Sequence, residues 1–290
     1  MPSKILAQIA LSAYALSKDT QYLNSITKLP EEYDEFGQGY WKNLSLYNAT
    51  GNSDDTQYRN TKQCKPTEYV RHCAEVKRLL LENFKLANLK MVRARSLVDG
   101  LVIPHRDFVE LDSSITYFRV FVPLEDNSDS FHSDEAGVFQ MKAGEVWFLD
   151  AGINHAAVNF GGKSRMFLCL DFMFEGPFEE SEIFSEKARL NEPREIFHIV
   201  RRPLIERERD NIITATAQML TRHTFKDLIF ALSKYHFTYD IPVNSCYDWM
   251  INAAELTRDQ KIIDKARSLR RYLIEQRDMG ERYTINDWSA

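Results

Sequence analysis

From residue 91 to residue 174 the chain repeats one pattern, a short run rich in Val, Phe, Ile and Tyr followed by a turn. The runs cover 91–95, 101–103, 117–124, 137–141, 145–149, 156–160 and 165–174, and they are bounded by Pro104, Lys142-Ala143-Gly144 and Gly161-Gly162. β-branched and aromatic residues between turn formers read as strands. No helical stretch separates these runs, so a parallel sheet built from strand–helix–strand units is excluded. An antiparallel sandwich or barrel remains. The opening segment MPSKILAQIALSAYAL reads as a first strand or turn, because it lacks the long apolar core and cleavage site of a signal peptide. Residues 75–86 are expected to form a helix ahead of the sheet, with Val76, Leu79, Leu80 and Phe84 on one face.

Past Pro193 the period changes from two to about 3.6. Helices are expected over 212–220, 225–233, 247–256 and 260–276. In the last of these Ile262, Ala266, Leu269 and Leu273 share a stripe, and Gly280 is a stop signal. The fold class is therefore mainly β with a helical C-terminal part. The acidic stretch 178–194 is the junction, giving a β domain over 1–190 and a small all-α domain over 191–290. With 37 Lys and Arg against 42 Asp and Glu, the net charge of −5 offers no general attraction to nucleic acid or anionic lipid. No apolar run approaches the length of a membrane span. The cysteines Cys64, Cys73, Cys169 and Cys246 form no CxxC pair, so no zinc site is expected. A reduced, cytoplasmic protein follows, in which the sequon Asn48-Ala49-Thr50 is idle. A small-molecule ligand remains open, and nothing opposes a homodimer.

The chemistry concentrates at the strand ends. His105 and Asp107 stand at i and i+2 of a run that ends in an extended chain, so both side chains reach the same side. His155 follows fifty residues later, after the run 145–149 and a short turn. Two neutral imidazoles and one carboxylate leave coordination positions open, the set that suits non-haem Fe(II) and oxygen chemistry. Arg165 opens the run that returns ten residues beyond His155. A guanidinium buried there needs an anion, either a bidentate carboxylate ligand or an acidic side chain at the rim. Arg119 lies among aromatics in Tyr117-Phe118-Arg119-Val120-Phe121-Val122 and should face a pocket holding another carboxylate. Arg95, in a neighbouring run, is either a third pocket cation or a solvated strand-edge charge.

The HxD motif, the distal His and the Arg ten residues further resemble the iron(II)- and 2-oxoglutarate-dependent oxygenases. Arg119 to Leu124, Ala143 to Asp150 and His155 to Phe160 are similar to the aspartyl/asparaginyl β-hydroxylase group. Within that group the likeness is to bacterial hydroxylases of free L-proline, above all those acting at C3 in cis. It runs from Ser3-Lys4-Ile5-Leu6 through 32–36, Tyr40-Trp41-Lys42, 103–112 and Phe131-His132-Ser133 to Leu232-Ser233-Lys234-Tyr235-His236 and Tyr247-Asp248-Trp249. The resemblance implies a double-stranded β-helix (jelly roll) catalytic core with the small helical domain behind it. It implies Fe(II) held by His105, Asp107 and His155, with 2-oxoglutarate and O2 as cosubstrates. Arg165 would hold the distal carboxylate of 2-oxoglutarate. Arg119 would take the amino-acid carboxylate or assist at the cosubstrate, with Arg95 behind it, Trp41 as a pocket wall, and His132 and Ser133 as polar pocket residues.

The same motifs are compatible with hydroxylation of proline at C4, or of pipecolate. They are also compatible with an oxygenase acting on Asp or Asn side chains in a polypeptide. A jelly roll that only binds, its ligands being remnants, is the non-enzymatic alternative.

Overall fold

Period-two alternation along the longest strands decides which residues face the helices and which face the interior. The structure, a computed structural model, describes residues 2–30, 32–108, 115–278 and 280–289. The chain begins with β1 (Lys4–Ile9) and α1 (Ala13–Ser25), then β2 (Gly37–Asn48), α2 (Ala74–Asn83) and β3 (Leu89–His105). It continues through β4 (Ile115–Pro123), β5 (Ser130–Asp134), β6 (Gly137–Gln140), β7 (Glu145–Phe148), β8 (His155–Asn159) and β9 (Arg165–Glu175). The helices α3 (Glu206–Met219), α4 (Phe225–Leu232), α5 (Ser245–Thr257) and α6 (Gln260–Arg270) follow, the last ending in a π-helical turn over Arg271–Glu275.

The strands pair antiparallel in the order β1, β7, β4, β9, β3, β8, β5, β6, with β2 also on β3. β3, 17 residues long, joins the two halves of the roll. Its first half lies between β9 and β2, and its second half pairs with β8. The strand turns between these halves at Asp99, whose φ is +41°, opposite Gly39, whose φ is +80°. The curled sheet is the expected jelly roll.

On β9, Met166, Leu168, Leu170 and Phe172 pack outward into a core shared with Leu16 and Leu23 of α1 and Val76, Leu79 and Leu80 of α2. The alternate residues Phe167 and Cys169 face inward, in a cluster with Trp41, Phe121 and Trp147. The outer face of the other half of the roll, Leu101, Ile103, Ala156 and Val158, is covered by the C-terminal helices through Phe225, Ile229, Tyr247 and Leu269. The helical part thus closes the back of the strands that carry His105 and His155.

The runs expected at 91–95 and 101–103 are one bent strand, and the helix expected at 75–86 is α2. Four C-terminal helices are found as expected, but α3 begins six residues earlier, at Glu206, and the last gives way after Arg270 to the π-helical turn. Three elements were not expected: α1, β2 and β5. β2 escapes because its buried positions include Lys42, Asn43, Ser45 and Asn48, which read as a polar loop. Each finds a partner in the fold. Lys42 Nζ donates to the carbonyls of Leu23 (3.2 Å) and Asn24 (2.7 Å), the free acceptors at the end of α1. Asn48 Nδ2 donates to Ser45 Oγ and to the carbonyls of Asn52 and Asp55. α1 is mostly polar and is capped by Ser12, which accepts from the Ala15 N–H.

Gly39 makes a test of this architecture. A Cβ there would stand 2.1 Å from the Asp99 carbonyl oxygen, on a backbone that L side chains rarely adopt. Gly39→Ala is expected to lower the unfolding free energy by roughly 2–4 kcal/mol. Urea denaturation checks this, and an unchanged midpoint would contradict the close crossing of β2 and β3.

Candidate metal centre and its cavity

The pairing of β3 with β8 sets His105 directly opposite His155, which is why fifty residues of sequence separate two neighbouring imidazoles. Their ring centroids are 4.3 Å apart. Each Nδ1–H donates to the carbonyl two residues earlier, Ile103 for His105 and Ile153 for His155, both at 2.9 Å. That fixes the proton on Nδ1 and makes Nε2 of each ring the nitrogen suited to ligate a metal. Asp107 follows beyond the strand end, where its backbone N–H donates to Ala151 in the turn before His155, at 2.7 Å. One ligand atom from each of His105, Asp107 and His155 lies within 4.8 Å of the others, the one such cluster among the described residues. Burial, reinforced by His155, lowers His105 to about 3, and burial likewise lowers His155. Burial alone would raise the Asp107 carboxyl, but Arg119 and both histidines hold it well below the usual range. Neutral imidazoles beside an ionised carboxylate are the state a divalent cation requires. The donor set fits non-haem iron.

Behind the ligands lies a buried ionic network. Asp171, fully enclosed, accepts from Arg119 Nε (2.9 Å), from Arg93 Nη2 and from the Tyr117 hydroxyl. Arg119 Nη1 donates to Asp107 Oδ2, so one guanidinium ties the candidate ligand to the carboxylate across the β4–β9 pair. Arg119 was expected to take an amino-acid carboxylate or to assist at the cosubstrate. It lines the cavity, and its guanidinium meets two protein carboxylates, because the strand register sets it opposite Asp171.

A small cavity opens beside the ligands. Trp41 and Asn43, at i and i+2 of β2, form one wall with Arg95, and Phe121, Phe167 and His132 form another. Arg95 Nε donates to Asn43 Oδ1 at a long 3.4 Å, and its guanidinium lies over the rings of Trp41 and Phe121. Among the described residues no carboxylate forms an ion pair with it, and burial, with Arg93 second, pushes its pKa down. Arg165 is the other cation without an ion pair among the described residues, its electrostatic support coming from Glu125. It stands behind His132, to whose Nδ1 its Nη1 donates at 2.8 Å, and over the Phe167 ring at 4.4 Å. Its buried Nε has no partner, and burial draws the guanidinium down to about 9. The buried Trp41 indole N–H is also unpartnered. These orphaned donors fit the carboxylates of an acidic cosubstrate and an amino acid.

Ser133, expected in the pocket, points the other way, since it follows His132 on a strand. Its hydroxyl donates to His236 Nε2 at 2.7 Å, on the helical side of β5. Asp171, Asn43, Arg93 and His236 were not singled out in the sequence. A usable signal existed for Asp171, because Arg165, Phe167, Cys169 and Asp171 occupy alternate positions of one strand, and a charge in that series must face the arginines.

The Ser133–His236 contact has a pH signature. Burial, with Arg201 second, lowers His236 to about 3, whereas the unfolded imidazole protonates near its ordinary value. Between those limits the unfolded chain binds the extra proton, so stability falls as pH drops through the window. His236→Gln should remove about 1.4 kcal/mol per pH unit from the slope of unfolding free energy between pH 6 and pH 4. Urea titrations across that range check it, and an unchanged slope would mean that His236 is not buried neutral.

Comparison with known proteins agrees with the geometry. Residues 8–174 match the aspartyl/asparaginyl β-hydroxylase family model, and residues 180–281 match the L-proline 3-hydroxylase C-terminal model. Two L-proline cis-3-hydroxylases from a Streptomyces species are 41% and 39% identical to the chain, each alignment covering 99% of it and 100% of the relative. An L-proline cis-4-hydroxylase from Rhizobium meliloti is 26% identical, over 97% of this chain and 99% of the relative. With ligands, cavity and full-length likeness in agreement, the chain belongs to the aspartyl/asparaginyl β-hydroxylase family, in the group of enzymes that carries the L-proline 3-hydroxylase C-terminal domain.

Proposed function

We propose that the chain hydroxylates free L-proline at C3, in cis, with Fe(II), 2-oxoglutarate and O2, forming succinate and CO2. The observation that carries this reading is the His105, Asp107 and His155 cluster beside a cavity lined by Arg95, which forms no ion pair among the described residues, with Arg165 and its unpartnered Nε behind His132. Greater identity to the cis-3 relatives than to the cis-4 relative favours C3. The reading takes 1–190 as the catalytic domain and 191–290 as the helical one, and places the enzyme in the cytoplasm, in keeping with four free, buried cysteines. Among the described residues no helix is long and apolar enough to cross a membrane.

His105, Asp107 and His155 would hold the iron, which supplies the oxidising chemistry when bound. Arg165, with the His132 it orients, receives the distal carboxylate of 2-oxoglutarate. Because Arg165 donates to His132 Nδ1, the neutral ring keeps its proton on Nε2 as a second donor. Arg95, with Asn43 and the Trp41 indole N–H, receives the proline carboxylate. Arg119 does not bind substrate directly; it holds Asp107 in place. Phe121, Phe167 and Trp41 enclose the ring and exclude water, which fixes one C–H edge toward the ligand cluster.

Chiral chromatography with mass spectrometry should find cis-3-hydroxyproline as the principal product from free proline. A dominant 4-hydroxy product, a preference for pipecolate, or turnover of an Asp-containing peptide would overturn the assignment. Two variants separate the cations. Arg165→Lys loses the two-pronged geometry, so KM for 2-oxoglutarate should rise at least about tenfold while KM for proline moves much less. Arg95→Ala should show the converse. Steady-state kinetics decide, and equal effects on both constants would dissolve the division of labour.

A further inference from the structure

Arg106 stands between His105 and Asp107, and alternation turns its side chain away from the cavity. Its surroundings are unusual for such a position. Its backbone N–H donates to the Leu273 carbonyl at 2.9 Å, and its Nη1 donates to the Ile274 carbonyl at 3.3 Å. Both acceptors belong to the π-helical turn that ends the last helix, where carbonyls lack intrahelical partners and a cation is favoured. Its Nε donates to the Gly152 carbonyl at 2.8 Å, in the turn that leads into His155. One side chain therefore joins the segment bearing two ligands, the segment bearing the third, and the end of the helical part.

We propose that Arg106 is a positioning residue for the metal centre, and that through it the C-terminal helices set the spacing between the His105–Asp107 pair and His155. The inference rests on the metal-binding reading above. The β3–β8 ladder ends at His105 and His155, and beyond it the Asp107 backbone bond to Ala151 also ties the two ligand segments. Tyr247 of α5 supports the same corner, its hydroxyl donating to the Pro104 carbonyl. Without Arg106 the Asp107–Ala151 backbone bond must hold the HxD segment to the 150–154 turn without that clamp, and the convergence of the three donors is less tightly fixed.

The test is Co(II) binding to the metal-free full chain, read from visible d–d absorption. The wild type should bind one Co(II) per chain. Arg106→Met should weaken that binding at least about tenfold, the usual loss when a group orienting metal ligands is removed. Arg106→Lys should fall between, since one ammonium reaches one carbonyl at a time. Leu80→Ala, a buried truncation in α2 on the far side of the sheet, should destabilise the fold yet leave the Co(II) affinity within about twofold. If Arg106→Met fails to fold, Arg106→Gln takes its place. Wild-type affinity in the folded Arg106 variant, or an equal loss in Leu80→Ala, would overturn the proposal. Absence of Co(II) binding by the wild type would instead overturn the metal-binding reading itself.

Discussion

A guanidinium withdrawn from water costs several kcal/mol unless an anion meets it, and among the described residues four guanidinium groups on the inner face of this roll share two ion-pairing carboxylates. Arg93 and Arg119 are matched by Asp171, and Arg119 also by Asp107. Arg95, facing the cavity, and Arg165, behind His132, form no ion pair among the described residues. Guanidinium groups without an ion-pairing carboxylate favour an anion at the cavity. In the proposed reading a dianionic cosubstrate and an amino-acid carboxylate would supply that charge.

The same network orders the metal ligands. Arg119 occupies one oxygen of Asp107 and leaves the other, Oδ1, toward the histidine pair, 3.6 Å from His105 Nε2. Asp171 in turn fixes Arg119, and Arg93 and Tyr117 fix Asp171. A carboxylate held this way is ionised and already oriented before a cation arrives, so little reorganisation remains when one binds. The backbone acceptors of the two imidazole Nδ1–H groups do the same for His105 and His155.

Much of this was legible in the sequence because it rests on local spacing. The two-residue step in HxD, the ten residues from His155 to Arg165 and the 3.6-residue stripe after Pro193 are short-range patterns. What escaped depends on partners far away in the chain. Lys42 looks like a loop residue until the end of α1 is placed over it, and Arg119 looks like a ligand-binding cation until the β4–β9 register sets it against Asp171. Ser133 was misdirected by its neighbour, since adjacent strand residues face opposite sides and only His132 points inward. The 109–112 part of the resemblance lies outside the described residues.

The central claim is that His105, Asp107 and His155 bind Fe(II) in a way that leaves room for 2-oxoglutarate to chelate it. Anaerobic titration of the metal-free chain with Fe(II) and then 2-oxoglutarate tests this most directly. The account predicts a weak visible charge-transfer band that saturates at one Fe(II) per chain, appears with 2-oxoglutarate but not with succinate, and is absent from His105→Ala. A wild-type chain showing no band at saturating Fe(II) and 2-oxoglutarate, or a band that survives intact in His105→Ala, would contradict it.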